Sequence, residues 1–521
     1  MGIDERICTL RLAGLGALLL GGQQAGAAGR VTRPNILVVM ADDQSYPYAS
    51  AYGCRMVSTP GFDTVAALGA LFENAYATSP GSSPSRASML TGLYPWQIEQ
   101  AGTHGSLFPA QYTCYPELLE RAGYHVGYTG KGWGPGEWSA AGRTCNPAGR
   151  EYNACQLEPP FAGLSRIDYT ANFRAFLEAR PAGAPFCFWL GTREPHRPYE
   201  RDSWQRQGMS LEQAEVPGFL PDSTVVRGDL LDYAVEIEWM DRHLCNCLEE
   251  LRRRGELENT IVIITADNGM PFPRAKANCY DAGLHVPLAV CWGARIRGGQ
   301  HVEALVSLVD LFPTLLEAAG VIAHSGRPSV GKSLLPLLAG DTNSVREAVY
   351  GGRERHSSAR YANWGYPIRC IRERNWMLVR NFHCERWPAG DPCSCDASGR
   401  PGPACSAFYD MDDAPTKDFL IRRRTEPGVG WFFELATAHR PEYELYDLTA
   451  DPACLHNLCG DPRHAAVEER LKHLLNDELE RTHDPRVGPD PEIWERYPRL
   501  SGGIRCFPPP EDPRDSVFLH R

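Results

Sequence analysis

The stretch ILVVMADDQ, residues 36–44, joins a run of five apolar residues to two aspartates within a single short segment. An uninterrupted apolar run rich in β-branched residues is typical of a strand that is buried on both faces, as in a parallel sheet. Ligands of open α/β sheets bind beyond the carboxyl ends of such strands. We therefore predict a parallel sheet with Asp42 and Asp43 at its functional edge.

Similar apolar runs alternate with helical patterns over the next 250 residues of the chain. They occupy residues 125–128, 186–190, 261–264 and 288–291. Between them, residues 230–254 repeat apolar side chains at helical spacing. This alternation predicts an α/β sandwich with a large, mostly parallel central sheet.

The chain is long enough for two domains. Its 521 residues exceed what one core usually fills, and near residue 370 the sequence becomes richer in Pro and Gly, with shorter strand-like runs. We predict a catalytic domain over residues 28–369. A smaller α+β domain with an antiparallel sheet is expected over residues 370–521.

The N-terminus has the pattern of a secretory signal. Arg6 and Arg11 flank an apolar run at residues 12–20, and small residues follow at 25–28. We predict a signal peptide over residues 1–27 and export to a periplasmic, secreted or lysosome-like compartment; a flexible extension or a membrane anchor is the alternative. No later segment is predicted to insert stably into a membrane.

Eighteen cysteines are many for this length. In an exported protein some are expected to form disulfides, above all in the cluster Cys384, Cys393, Cys395 and Cys405. A zinc site is the alternative, although the spacing of Cys393 and Cys395 differs from the usual zinc knuckle.

The net charge of -11 and the lack of a basic tract exclude nucleic acid as a predicted partner. An anionic substrate must then be attracted by a local pocket or a bound metal ion.

Polar residues follow several of the predicted strands. Asp267 and Asn268 follow the run at 261–264, as Asp42 and Asp43 follow the first. All four side chains offer oxygen atoms, which Ca²⁺ and Mg²⁺ prefer, although each pair alone is also typical of a helix cap or turn. Lys131 and His196 follow two further strands, and both are expected at the same edge.

The stretch SSPSRASMLTG, residues 82–92, is predicted to begin a helix. Pro84 suits the first turn, so Ser82 stands at the helix N-terminus, where free amides favour an anion. Taken alone, the stretch is more typical of a simple capped helix after a loop.

The Ser-x-Pro-Ser-Arg and Leu-Thr-Gly elements of this stretch resemble the signature of type I sulfatases. Five other stretches resemble that family's motifs and occur in its order: Asp42-Asp43, Gly130-Lys131, Pro195–Tyr199, Asp267–Gly269 and Lys276–Gly283. Four further stretches resemble one branch, the N-sulfoglucosamine sulfohydrolases: Met270–Pro273, Tyr366–Arg369, Glu444–Asp447 and Thr482–Pro485.

The resemblance implies an alkaline-phosphatase-like or sulfatase-like fold and a formylglycine at position 82, made from Ser82 by a separate maturation enzyme. It implies a Ca²⁺ site, with Mg²⁺ as the alternative, whose ligands are Asp42, Asp43, Ser82, Asp267 and Asn268. It further implies a catalytic set comprising Ser82, Arg86, Lys131, His196 and Lys276, in which His196 acts as general acid.

The chain departs from the family at one position. The family carries a histidine two residues after the motif lysine, whereas this chain has Trp133. That role is either vacant or filled elsewhere, with His104 as the candidate, and Trp133 is expected to line the pocket or stack on a sugar. Arg353, Arg355 and His356 are candidates for substrate binding, with a charged surface loop as the alternative.

The resemblance implies hydrolysis of sulfate from a sulfated carbohydrate, with the N-sulfate of glucosamine in heparin-type or heparan-type fragments as the preferred substrate. It thereby implies a role in glycosaminoglycan degradation. The alternatives are an O-sulfatase acting on another glycan or an aryl sulfate, a phosphatase or phosphonate hydrolase of the same superfamily, and an inactive sugar-binding relative. The sequence does not predict the oligomeric state.

Overall fold

The apolar run that begins at Ile36 forms a central strand, β1 (Asn35–Ala41), of the largest sheet, and all seven of its residues are buried. This computed structural model describes residues 33–293, 295–322, 327–396, 398, 400, 402–500 and 506–509. The predicted signal peptide, residues 1–27, lies outside the described residues and stays a prediction.

The elements are numbered in chain order. The other strands of the large sheet are β2 (Ala70–Tyr76), β3 (His125–Gly130), β4 (Arg150–Glu151), β5 (Phe186–Gly191), β6 (Thr260–Ala266), β7 (His285–Cys291) and β8 (Gln300–Ser307). The strands of a second sheet are β9 (Ala348–Arg353), β10 (Ile368–Glu373), β11 (Trp376–Asn381) and β12 (Tyr443–Asp447). The α-helices are α1 (Pro60–Leu68), α2 (Ser82–Thr91), α3 (Tyr115–Arg121), α4 (Tyr169–Ala179), α5 (Ser203–Arg206), α6 (Thr224–Arg253), α7 (Asp281–Leu284), α8 (Leu311–Ala318), α9 (Leu335–Ala339), α10 (Pro415–Arg422), α11 (Gly430–Thr437) and α12 (Ala465–Arg481).

The large sheet has the strand order β4-β3-β5-β1-β6-β7-β2-β8. Neighbouring strands are parallel except at β7, which runs antiparallel to β6 and β2. Strand β1 lies between β5 and β6, so Met40 pairs with Gly191 on one side and Thr265 on the other. The carboxyl ends of β3, β5, β1 and β6 therefore meet at one edge, and the predicted fold class is confirmed.

The second sheet is antiparallel, with the order β12-β11-β10-β9. The strand-like runs predicted from near residue 370 include the hairpin of β10 and β11. Helix α12 packs its apolar face, which includes Leu471 and Leu475, against the buried Ile371 and Leu378 of this sheet. The sheet begins at Ala348, so an element of the catalytic region predicted over 28–369 takes part in it.

The cysteine cluster between β11 and α10 carries free thiols at Cys384, Cys395 and Cys405. Among the described residues, these three thiols form no disulfide, contrary to the prediction for them. Cys384 instead donates to the backbone oxygen of Asn381 at 3.7 Å.

In the described part of the chain, no helix combines the length and apolar character that crossing a membrane requires.

Candidate active site

Ser82 is the first residue of α2, and every residue of this helix is buried. Gly81 precedes it in an extended conformation, and Pro84 lies in the first turn, where the missing N–H has no intrahelical partner to lose. A side chain at position 81 would approach Nδ1 of His356 to 3.1 Å. The predicted helix start is confirmed, and it is packed tightly inside the protein.

The hydroxyl of Ser82 is held between a carboxylate and an ammonium group. It donates a hydrogen bond to Oδ1 of Asp42 at 2.9 Å and accepts one from Nζ of Lys131 at 2.9 Å. The same ammonium group lies 2.7 Å from both carboxylate oxygens of Asp42. Asp42 follows β1 and Lys131 follows β3, so the shared sheet edge brings the two side chains to Ser82.

Arg86 has no exposed surface and connects the ends of three strands. Its Nε donates to Oδ2 of Asp267 at 2.7 Å, and its Nη2 lies 3.5 Å from Oδ1 of Asp42. Its Nη1 donates to the backbone oxygen of Lys131 at 2.8 Å. A fully buried guanidinium with these partners fixes the relative positions of the side chains around Ser82.

The residues predicted as metal ligands lie together beyond β1 and β6. Carboxylate oxygens of Asp42, Asp43 and Asp267 all lie within 4.8 Å of one another. Asn268 donates from Nδ2 to Asp43 at 2.7 Å, while its Oδ1 is buried and has no hydrogen-bond partner among the described residues. An unpartnered buried oxygen beside three carboxylates fits a hard divalent cation such as Ca²⁺ or Mg²⁺.

The pKa values of two carboxyl groups in this cluster are shifted in opposite directions. Burial raises the pKa of Asp267 to about 6, although Arg86 acts against the rise. Burial also disfavours the ionised form of Asp42, but the positive charges of Lys131 and Arg86 outweigh it and hold the pKa of Asp42 well below its usual range. A bound cation would favour the ionised form of both groups.

Lys276 reaches the same cluster from the loop before α7. Its Nζ donates to Oδ2 of Asp43 at 2.6 Å and to Oδ2 of Asp412 at 2.9 Å. Burial lowers the pKa of Lys276, but the charges of Asp412 and Asp43 outweigh it and raise that pKa above its usual value. Sequence reasoning did not identify Asp412, because it lies in the loop-rich segment between β11 and α10 and belongs to no recognised motif.

His196 lies in the loop after β5, with its side chain 37% exposed. Its Nδ1 lies 2.6 Å from the backbone oxygen of Arg197; a carbonyl only accepts hydrogen bonds, so Nδ1 carries a proton. Its Nε2 faces Oδ2 of Asp43 at 3.7 Å. The neighbouring Arg197 holds the loop through two bonds to Asp229, at 2.7 and 2.8 Å.

Trp133 stands where the related motif has a histidine. Its indole is buried and donates from Nε1 to the backbone oxygen of Ser83 at 2.9 Å. His104 is partly buried and packs against His356, with ring centroids 4.6 Å apart. Burial and the neighbouring His356 hold the pKa of His104 well below its usual range, so the ring is neutral at pH 7.

The two candidate arginines for substrate binding have internal partners. Arg353 forms an ion pair with Asp410 and donates to the backbone oxygen of Ala277. Arg355 is 3% exposed and donates to the backbone oxygen of Tyr497 at 2.8 Å. Both positions brace the loops around Lys276 and the C-terminal segment.

The site therefore combines a buried oxygen at position 82, a cluster suited to a divalent cation and two ammonium groups beside it. A partly exposed imidazole stands at the open side. This combination suits transfer of an anionic, oxygen-rich group and protonation of its leaving atom.

Comparisons with known proteins agree with this chemistry. Residues 34–321 match the family model described as Sulfatase, and residues 275–388 match the model described as N-sulphoglucosamine sulphohydrolase, C-terminal. The human N-sulphoglucosamine sulphohydrolase is 31% identical over 502 residues, which cover 89% of this chain and 93% of the human protein.

Solved structures share the fold. The structure of BT4656 in complex with its substrate D-glucosamine-2-N,6-O-disulfate has a TM-score of 0.62 at 20% identity and covers 88% of this chain and 99% of that one. The phosphonate monoester hydrolase of Agrobacterium radiobacter has a TM-score of 0.61 at 18% identity and covers 87% and 97%. The solved structures share only the fold, whereas the family match over residues 34–321 and the 31% identity to the human protein show the family. The chain belongs to the sulfatase family.

Proposed function

We propose that this hydrolase removes the N-sulfate group of glucosamine in heparin-type or heparan-type fragments, using a formylglycine made from Ser82 and a bound Ca²⁺ or Mg²⁺ ion. The observation that carries the proposal is the position of Ser82 Oγ, 2.9 Å from both Lys131 Nζ and Asp42 Oδ1. An oxygen held in this way is positioned for attack on an anionic centre that the same ammonium group attracts.

The charge balance of the site supports a sulfate substrate. The site holds one more carboxylate than it holds permanent positive charges; the carboxylates belong to Asp42, Asp43, Asp267 and Asp412, and the cations to Arg86, Lys131 and Lys276. A bound divalent cation changes the net charge of the site from one negative charge to one positive charge. That charge matches the single negative charge of a sulfate ester or sulfamate.

The residues around position 82 prepare the nucleophile. The hydrated aldehyde of formylglycine supplies two hydroxyl groups, one to attack sulfur and one with which to release sulfate; an unmodified serine has no second hydroxyl. A divalent cation in the cluster supplies Lewis-acid stabilisation of the sulfate oxygens. Lys131 orients the attacking oxygen and stabilises its deprotonated form, while buried Arg86 keeps Asp42 and Asp267 in place.

His196 and Lys276 act on the leaving group and on the sulfate oxygens. The partly exposed imidazole of His196, in its doubly protonated form, is placed to protonate the departing nitrogen or oxygen from Nε2, because its Nδ1–H is held by the backbone oxygen of Arg197. Lys276 neutralises charge that develops on the sulfate oxygens. Trp133 leaves no second imidazole at the motif position, so proton removal during sulfate release relies on the cluster around Lys131.

The substrate assignment rests on the match of residues 275–388 and on the human relative, whose name states an N-sulphoglucosamine substrate. We further propose that the protein is exported, on the strength of the N-terminal pattern at residues 1–27. A separate maturation enzyme that oxidises Ser82 belongs to the same proposal.

Two measurements test the proposal. Intact-mass and peptide-mass analysis of the purified protein should show a loss of about two hydrogens at position 82. Sulfate release should then be measured from N-sulfoglucosamine, N-acetylglucosamine 6-sulfate and an aryl sulfate, with Ser82→Ala as the inactive control.

Each outcome has a definite meaning. Active protein that carries only serine at position 82 would overturn the formylglycine mechanism. Release from the 6-O-sulfated sugar but not from the N-sulfated sugar would overturn the substrate assignment. Faster turnover of a phosphonate monoester than of any sulfate would favour the chemistry of the structural relative from Agrobacterium radiobacter.

A further inference from the structure

Asp412 brings a fourth carboxylate to the active site from the C-terminal region. Ligand atoms of Asp43, His196 and Asp412 lie within 4.8 Å of one another. The side chain of Asp412 is 25% exposed, whereas that of Asp43 is fully buried. Asp412 therefore stands at the open side of the site, beside the imidazole placed to protonate the leaving atom.

The position of Asp412 is fixed by its neighbours. Two residues earlier, the buried Asp410 forms ion pairs with Arg353 and Arg360 and accepts a hydrogen bond from Ser357 at 2.6 Å. Arg353 also binds the backbone oxygen of Ala277, the residue after Lys276. One guanidinium thus anchors both loops whose side chains meet at the Lys276–Asp412 ion pair.

One oxygen of Asp412 remains available to a substrate. Lys276 contacts Oδ2 at 2.9 Å, and within the described residues no hydrogen bond to Oδ1 is found. A carboxylate oxygen only accepts hydrogen bonds. A group that binds there must offer an N–H or O–H, or carry a positive charge.

N-sulfated and O-sulfated sugars differ in whether the leaving atom can donate a hydrogen bond. The bridging nitrogen of a sulfamate carries a hydrogen, whereas the bridging oxygen of a sulfate ester carries none. We propose that Asp412 is a specificity-determining residue that accepts the N–H of the sulfamate and disfavours an ester oxygen at the same place. This inference rests on the proposed function and extends it to the choice between N-sulfate and O-sulfate.

The reaction makes the preference stronger as it proceeds. The S–N bond breaks with its electron pair going to nitrogen, sulfur bonds to the attacking oxygen at position 82, and His196 gives its proton to the nitrogen. The amine that forms takes up a further proton from water and becomes an ammonium ion, which Asp412 attracts. An ester would instead develop negative charge on its oxygen beside this carboxylate, which is unfavourable.

The variant Asp412→Asn tests the inference, with Asp413→Asn as its matched control. Asp413 is the next residue, its side chain is 69% exposed, and it pairs with Lys417. We expect Asp412→Asn to lower kcat/KM for N-sulfoglucosamine about tenfold to hundredfold and to change kcat/KM for N-acetylglucosamine 6-sulfate or an aryl sulfate less than about threefold. Asp413→Asn should leave every rate within about twofold of the unsubstituted protein.

The unsubstituted protein distinguishes the two proposals. If it cleaves N-sulfoglucosamine and Asp412→Asn leaves the ratio of N-sulfatase to O-sulfatase activity unchanged, the inference about Asp412 is wrong while the proposed function stands. If the unsubstituted protein releases sulfate only from O-sulfated substrates, both the N-sulfate assignment and the inference are wrong.

A binding measurement gives a second readout that does not depend on how the variant folds. In calorimetric titrations of the unsubstituted protein near pH 7, glucosamine should bind about tenfold more tightly than N-acetylglucosamine, because only the former offers an ammonium group to Asp412. Equal affinities for the two sugars would overturn the inference.

Discussion

The indole nitrogen of Trp133 donates a hydrogen bond to the backbone oxygen of Ser83 at 2.9 Å. Its ring also meets Phe108 edge-on, with centroids 5.0 Å apart. The tryptophan at the motif position therefore supports the helix that begins at Ser82. This contact explains how the site keeps its geometry without the histidine of the related motif.

Replacing Trp133 should reduce stability, and losing the whole ring should cost more than losing the hydrogen-bond donor alone. Trp133→Phe leaves a buried backbone oxygen without its donor and should lower the free energy of unfolding by about 1–3 kcal/mol. Trp133→Ala also creates a cavity and should cost about 3–5 kcal/mol. Denaturant unfolding measures both, with Trp431→Phe, at a half-exposed tryptophan, as the control. A Trp133→Phe variant as stable as the control would contradict this interpretation.

Removal of divalent cations should abolish activity and lower the melting temperature. Without a cation, the three carboxylates of Asp42, Asp43 and Asp267 repel one another within 4.8 Å. Ca²⁺ at about 100 times its Kd should stabilise the chelated protein by about 3 kcal/mol. Thermal melting with and without added Ca²⁺ or Mg²⁺ measures this effect.

The variant Asp267→Asn provides the matched test of the metal site, because it removes one ligand charge and keeps the shape of the side chain. We expect its melting temperature to respond little to Ca²⁺. Asp222→Asn, at an exposed acid paired with Arg227, should respond as the unsubstituted protein does. An undiminished response in Asp267→Asn would place the cation elsewhere.

Most of the sheet and of the residues around Ser82 were predictable from the sequence. Apolar runs identify buried strands, and residues that follow parallel strands must meet at one edge, so Asp42 and Asp267 could be placed together without coordinates. The helical pattern predicted at 230–254 corresponds to α6, whose apolar spacing is regular.

The residues that sequence reasoning missed depend on contacts between distant segments. Asp412 approaches Lys276 across 136 positions of the chain, through a loop without periodic pattern. Arg353 has the residue type of an anion-binding group, but burial and the ion pair with Asp410 give it a bracing contact instead. Such outcomes depend on tertiary packing, and neither local propensity nor spacing encodes them.

The effect of removing His196 should depend on the leaving group. For N-sulfoglucosamine, whose leaving amine needs a proton, His196→Gln should lower kcat about 10²-fold to 10⁴-fold. For an aryl sulfate with an acidic phenol, the loss should stay below about tenfold, because the phenolate leaves without protonation. Comparing the two rates, with His456→Gln at an exposed position as control, measures this difference. Equal losses on both substrates would exclude His196 as the general acid.

The stability of the protein should fall at acidic pH in part because of His243, which lies away from the active site. Burial lowers the pKa of His243 to about 4, and its Nδ1 lies 2.9 Å from Oγ1 of Thr170. The unfolded chain, in which a histidine titrates near 6.5, therefore binds more protons than the folded protein between about pH 6.5 and 4. The contribution of neutral His243 to stability is complete above that window and is lost as the pH falls through it.

The variant His243→Gln tests this prediction. Between pH 7 and 4.5, its free energy of unfolding should fall by about 2 kcal/mol less than that of the unsubstituted protein. In the control His473→Gln, at an exposed position of α12, the free energy of unfolding should fall by the same amount as in the unsubstituted protein. Parallel pH profiles for His243→Gln and the unsubstituted protein would contradict the lowered pKa, because they would show that His243 binds protons equally in the folded and unfolded states.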